Sequence, residues 1–384
     1  MSKTYDIAVI GLGALGSSAL WQLSKSGKSI LGLDQFSPPH DMGSSHGESR
    51  ITRLAVGEGQ DFIPIVKRSH KIWQELEKLS GKQVYFQTGG LLFDTSSKAW
   101  SKHGSEGFFE RTLAFAQSAD IKHEVLDGKK VKSVHPEFCL DDHAKAYFEP
   151  SAGVLKPELA IQTQLDLAAS NGAVIKAHYK VIGIRSSQHG VQILTNHGDF
   201  EARKVLISAG PWVKDFLPED VKYQFKICRQ VLYWLPVTPG FYELGKTPVF
   251  MWGFGPRPED FIYGFPSLDG QTAKIASESF LESHHPDTLN RTVSENEGQL
   301  FLEEKIKDKF KGLRPEIIKS KVCIYTVTED SNFVVDELPD FPEVLVASAC
   351  SGHGFKHSAG LGEAIAQKLL NQKSDIDISP FQWK

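Results

Sequence analysis

The stretch Tyr5-Asp6-Ile7-Ala8-Val9-Ile10-Gly11-Leu12-Gly13-Ala14-Leu15-Gly16 constrains this chain more than any other. Its first six residues read as a buried strand that runs directly into three glycines spaced Gly-x-Gly-x-x-Gly. The segment Ser17 to Ser26 follows, with Ala19, Leu20 and Leu23 on one side of a helix. Ser29 to Leu33 then reads as a second strand ending at Asp34. Each part has a physical task. Gly11 permits the tight turn, Gly13 lets backbone approach a pyrophosphate, and Gly16 lets the helix pack closely on the strand. The start of the helix offers unpaired amide N–H groups and the positive end of its dipole. Asp34, 18 residues beyond Gly16, can accept hydrogen bonds from a ribose and repels a 2′-phosphate. A dinucleotide-binding βαβ unit is predicted, with FAD and NAD both open.

A chain of 384 residues is long for one core and suits two domains. The net charge of -4, from 43 basic and 47 acidic residues without a long basic run, gives a nucleic-acid partner no electrostatic support. No two of Cys139, Cys228, Cys323 and Cys350 have the spacing of a zinc or thioredoxin-like motif, and the adjacent His284 and His285 read as an exposed polar turn, so no metal is expected. The first apolar stretch lacks the layout of a signal peptide, and no run approaches the roughly 20 apolar residues that cross a bilayer. A cytoplasmic enzyme without membrane association is the expectation.

Further along, Gly43-Ser44-Ser45-His46-Gly47-Glu48-Ser49-Arg50 is a polar, glycine-bearing loop. Residues 62–79 form an amphipathic helix pattern stopped by Gly81, residues 91–93 a strand, and residues 99–119 a helix. A second α/β region follows: a helix from Glu158 to Ala169, strands at Val191–Thr195 and Ala202–Ala209, and a short helix near Trp212. From about Tyr223 to Ile318 the composition changes. Val231–Leu235, Val249–Trp252 and Phe261–Phe265 are aromatic strand candidates separated by Pro and Gly, and Glu295 to Phe310 reads as a helix. The closing unit runs from a strand at Val344–Ala349 through Ser351-Gly352-His353-Gly354-Phe355-Lys356 into a helix reaching Leu370. The far end of the chain therefore returns to the nucleotide unit.

These motifs, in this order, resemble the monomeric sarcosine oxidase and N-methyltryptophan oxidase family of FAD-dependent amine oxidoreductases, related to D-amino acid oxidase. The likeness rests on Gly11 to Gly16, residues 43–50, Arg53 with Gly57-Glu58-Gly59, Ser208-Ala209-Gly210-Pro211-Trp212, Tyr263-Gly264-Phe265-Pro266, Cys323-Ile324-Tyr325-Thr326 and residues 351–356. The resemblance implies an α/β plus α+β fold. A discontinuous Rossmann-like FAD domain would comprise residues 1–88, 148–218 and 320–384. A catalytic substrate domain of residues 89–147 and 219–319 would contain a large mixed or antiparallel sheet. It also implies a monomer that oxidises the C–N bond of an amino acid-like secondary amine, uses molecular oxygen, and releases hydrogen peroxide and an aldehyde.

Beyond the glycine turn and Asp34, residue roles follow from the resemblance alone. Gly11, Gly13, Gly16, Asp34, Ser44, His46, Arg50, Gly352 and Gly354 would contact FAD, and Cys323 would hold it covalently through the flavin 8-methyl group. Lys274, 11 residues after Tyr263, stands where the family has its oxygen-activating lysine. Arg53 and Lys356 match the pair that binds the substrate carboxylate, with Lys356 also close to the flavin. Tyr263, Tyr325 and Thr326 match pocket or flavin-contact positions. Several residues depart from the pattern. Glu278 replaces a histidine, as in fructosyl amino acid oxidases, and in the pocket it would favour a cationic or polyhydroxyl group. Val56 and Leu54 replace a tyrosine and a histidine. N-methyl and N-fructosyl amino acids both remain open as substrates. So do a dehydrogenase with another electron acceptor, a flavin-binding subunit of a larger complex, and a hydroxy-acid oxidase.

Overall fold

A computed structural model describes residues 4–96, 107–257, 259–279 and 281–384. The apolar run Thr4–Ile10 forms the centre of a mixed eight-stranded sheet. It pairs in parallel with Ile30–Leu33 on one side and Phe200–Ile207 on the other. Phe341–Ser348 adds in parallel to Phe200–Ile207, so both ends of the chain and its middle meet in one sheet. The helix Ala14–Ser24 packs against Pro157–Ser170 and Ser358–Leu369, which buries Leu20, Trp21 and Leu23 between strand and helices. Full burial of each such side chain contributes roughly 1.5–3 kcal/mol.

The second layer is a nine-stranded mixed sheet. Its long strand Lys226–Pro236, near one edge, pairs antiparallel with Thr272–Ser277 and with Lys319–Val327. Val249–Gly253 pairs in parallel with Gly90–Asp94, which makes the sheet mixed. The aromatic segments read as strands are strands here, because alternate residues are buried against one core. Phe138 meets Phe250, and Trp252 meets Phe310, edge to face within that core, with Phe250 and Phe310 tilted. The strand carrying Cys323, residues 319–327, lies in this sheet although most of it falls in the range 320–384 expected for the FAD domain. A small three-stranded sheet joins Arg50–Thr52 to Gly153–Leu155 and Tyr85–Phe86.

Two expected helices differ in extent. The helix read over 99–119 is present as Phe108–Ser118, and residues 99–106 lie outside the described residues. The helix read from Glu295 to Phe310 is α-helical only to Phe301, with a π-helical turn at Leu302–Ile306. Asp308 then takes a left-handed conformation, and Phe310 leaves the helical path to pack on Phe138 and Phe250. Aromatic burial wins over helix propensity at this end.

Candidate functional site

The glycine turn is built as its spacing requires. Gly11 has φ 88°, and a β-carbon on Gly16 would stand 1.8 Å from Gly11 O. The helix can approach this closely only without a side chain. Gly13 offers no capping side chain, and the Ala14 N–H donates to Ser45 Oγ at 3.3 Å. The buried Asp34 carboxylate accepts from Leu12 N and Phe36 N, each at 2.8 Å, and so ties the end of the second strand to the glycine turn. Carboxylate oxygens have further acceptor capacity that a ribose can use. Gly11, Gly13, Asp34 and Ser44 line an elongated cavity of about 1090 Å³.

A second cavity of about 890 Å³ adjoins the first along Ala14, Ser44, Ser45, Ala349 and Cys350. Its walls bring together Arg50, Arg53, Tyr263, Glu278, Cys323, Tyr325, Gly352, Gly354 and Lys356. These come from the 43–50 loop, the segment after the strand Arg50–Thr52, the nine-stranded sheet with the residue that follows its strand Thr272–Ser277, and the closing turn. Arg50 donates to Ser49 O at 2.8 Å and Ser44 O at 2.7 Å, and to Cys323 Sγ at 3.6 Å. The Cys323 thiol in turn reaches Ser44 O at 3.5 Å. The Tyr263 and Tyr325 hydroxyls stand 3.4 Å apart. Burial pushes the Tyr263 phenol up to about 12, so at neutral pH it is a hydrogen-bond donor rather than a base. Glu278 is buried and faces this cavity.

Arg53 and Lys356 converge on an internal carboxylate. Arg53 Nη2 lies 2.7 Å from Glu58 Oε2, and Lys356 Nζ lies 3.7 Å from Glu58 Oε1. Arg53 also donates to Ala55 O, and Lys356 to His353 O at 2.8 Å. Glu58 was visible in the Gly57-Glu58-Gly59 motif but carried no role there, because nothing local shows that it reaches Lys356.

Lys274 and His46 belong to neither set of lining residues. Lys274 is fully enclosed behind the 43–50 loop, where its ammonium donates to Gly47 O and Ser49 O, each at 2.7 Å. It sits 4.2 Å from the centre of the Phe265 ring. Burial, and then the Arg50 charge, press Lys274 well below the usual lysine range. His46 faces a separate outer cleft, and burial together with Arg50 pushes its ring down to about 3, so it is neutral.

The residues present fit an elongated flavin dinucleotide. Two adjoining cavities run from the glycine turn to the Cys323 strand. The Ser44 hydroxyl, on the wall that the two cavities share, is buried without a hydrogen-bond partner, a cost that a bound polar group would relieve.

A protein-family model described as FAD dependent oxidoreductase (DAO) matches residues 6–368. Monomeric sarcosine oxidase of Bacillus sp. (strain NS-129) is 35% identical, covering 99% of this chain and 97% of that protein. N-methyl-L-tryptophan oxidase of Yersinia pestis (strain Pestoides F) is 31% identical, covering 98% of each. Among solved structures, the open form of NikD, an unusual amino acid oxidase essential for nikkomycin biosynthesis, matches with a TM-score of 0.87. It is 19% identical and covers 100% of this chain and 98% of that chain, which shows a shared fold.

Proposed function

The chain belongs to the family of FAD-dependent oxidoreductases, and on that premise we propose that it oxidises the C–N bond of a secondary amino acid, an N-methyl amino acid such as sarcosine, with oxygen as acceptor. The products are hydrogen peroxide and an imine, which water hydrolyses to an aldehyde and an amine. The observation that carries this reading is one cavity walled by both the Cys323 thiol and the Arg53–Lys356 cation pair.

Bound FAD supplies the two-electron acceptor that no side chain provides. Gly11, Gly13 and Asp34 hold its nucleotide end, and Cys323 is its covalent anchor. Arg53 offers a planar two-bond clamp and Lys356 a point charge to the substrate carboxylate. Their joint position fixes which end of the amino acid enters first. The Tyr263 and Tyr325 hydroxyls can orient the amine, and the apolar walls from Leu232, Met251 and Phe261 exclude water. Lys274, enclosed behind the 43–50 loop, would supply a buried cation beside that wall of the cavity to favour negative charge developing on oxygen.

A second substrate reading has its own support. Glu278 is buried in the same cavity, where it suits a polyhydroxyl or cationic N-substituent, so an N-fructosyl amino acid is the alternative.

The test is flavin absorbance under anaerobic conditions. Bleaching by sarcosine supports the N-methyl reading. Bleaching only by an N-fructosyl amino acid selects the alternative, and no bleaching by either refutes both. Recovery of colour on admitting air, with one peroxide per turnover, separates an oxidase from a dehydrogenase.

A further inference from the structure

Glu158 stands in the first turn of the helix Pro157–Ser170, directly after the proline that opens it. A carboxylate there is favoured by the helix dipole. Its Oε1 accepts from Gly47 N at 2.7 Å and from Glu48 N at 3.0 Å. Both residues are left-handed, with φ 95° at Gly47 and 70° at Glu48. A residue with a β-carbon rarely adopts that conformation, and Glu48 needs outside support to hold it. Two N–H groups aimed at one anionic oxygen provide that support.

The opposite side of this loop meets Lys274. The C=O of Gly47, which accepts from Lys274 Nζ, and the N–H of Glu48, which donates to Glu158, are two ends of one peptide unit. In a trans peptide these groups point in opposite directions. One planar group therefore has Glu158 on one edge and Lys274 on the other. An anion on the N–H edge polarises the peptide and makes its carbonyl a better acceptor for an ammonium.

The surrounding charges give Glu158 a distinct place. Arg50 and Cys323 face Lys274 from the cavity, and Glu48 and Glu158 from the loop and helix. His40, Asp41, His46, Lys319 and Lys321 line the outer cleft beyond them. The Glu48 carboxylate is engaged elsewhere, by Lys319 and by Trp234 Nε1 at 2.9 Å. Glu158 is the carboxylate hydrogen-bonded to one of the two peptides that Lys274 uses.

We propose that Glu158 is a positioning residue for Lys274, holding its ammonium in place through the Gly47–Glu48 peptide during the oxygen-consuming half-reaction. The inference rests on the reading of Lys274 as the residue that serves oxygen.

The test compares E158Q, E158D and K274M holoenzymes by three measurements: anaerobic flavin reduction, flavin reoxidation by oxygen across pH, and static pH titration of the oxidised flavin absorbance without substrate. Gln keeps an acceptor oxygen but removes the charge, so the ammonium loses its proton at lower pH. In E158Q the reoxidation profile and the absorbance titration are both expected to move down by about one pH unit, a reoxidation loss of about tenfold at high pH. Reduction stays within about twofold, E158D recovers most of the loss, and K274M reoxidises about 100-fold more slowly. An E158Q profile and titration that coincide with wild type, while K274M is slow, overturn the proposal alone. Wild-type reoxidation in K274M overturns it together with the reading of Lys274. Equal slowing of reduction and reoxidation with loss of flavin, in both E158Q and E158D, shows a merely structural role and also overturns it.

Discussion

Arg53 Nη2 lies 2.7 Å from Glu58 Oε2, with the two side chains only 5% and 4% exposed, so the residue expected to clamp a substrate carboxylate already holds one of the protein's own. A buried guanidinium without a counter-charge is costly, and Glu58 stabilises the cation pair before substrate arrives. The same carboxylate repels an incoming one. Glu58→Gln keeps the shape and removes the charge. We expect it to lower the stability of the ligand-free protein by about 3 kcal/mol and to tighten binding of a simple carboxylate such as acetate by about tenfold, or about 1.4 kcal/mol. Thermal melting and titration of the flavin absorbance measure the two effects. Weaker acetate binding in the variant would show that Glu58 assists the clamp rather than competing with ligand.

Covalent anchoring separates cleanly from tight binding. Cys323 is buried on the cavity wall, with its sulfur between Arg50 and Ser44 O. Acid precipitation of the wild-type holoenzyme is expected to leave the yellow colour in the protein pellet, whereas Cys323→Ser releases all flavin to the supernatant. Free flavin from the wild type would remove Cys323 from its proposed role and leave it a packed core thiol.

The glycine turn can be probed by volume and by backbone conformation separately. In Gly16→Ala the new methyl would overlap Gly11 O, and Ser208 Oγ would stand 2.7 Å away. Backbone cannot move aside as a flexible side chain does, so a loss of about 3 kcal/mol or more is expected, along with most FAD binding. Gly27→Ala meets nothing within 4 Å but places a side chain at φ 71°. It should cost about 1 kcal/mol and leave FAD content unchanged. Denaturant midpoints and the ratio of flavin to protein report both. Normal flavin loading in Gly16→Ala would contradict the close approach.

Two buried histidines set an acid limit on stability. Burial holds His46 at about 3 and His70 at about 4, both below the ordinary 6.5. Above that ordinary value each ring is neutral in the folded and unfolded chain, and stability does not depend on it. Below it the unfolded chain takes up the protons and the folded chain does not. Stability therefore falls as pH drops from about 6.5 toward the folded values, by up to about 1.4 kcal/mol per pH unit for each histidine. His70 also bonds the Thr52 hydroxyl at 2.7 Å. His70→Gln should reduce the slope between pH 6.5 and 5 by about one proton, as read from urea midpoints. An unchanged slope would mean that the ring is charged in the folded protein.

The parts of this protein that the sequence determined by itself are those where neighbours along the chain are also neighbours in space. The run Tyr5 to Gly16 specified strand, turn and helix, because the helix must pass Gly11 O closely and only the local spacing of glycines allows it. The aromatic strands were legible from short apolar, aromatic runs bounded by Pro and Gly. The motif at residues 43–50 was visible, but not what holds it. Gly47 is tied to a carboxylate 111 residues away and to an ammonium 227 residues away. Neither distance leaves a periodic trace. Likewise Glu58 comes between Arg53 and Lys356, and Lys274 lies behind the loop rather than in the cavity, only because the closing turn and the strand Thr272–Ser277 fold back onto residues 47–58. Phe310 left its helix for an aromatic core assembled from two other segments. Local spacing decided which groups the chain could offer. The tertiary structure decided which charges met, because electrostatic and packing energies depend on distance in space and not along the chain.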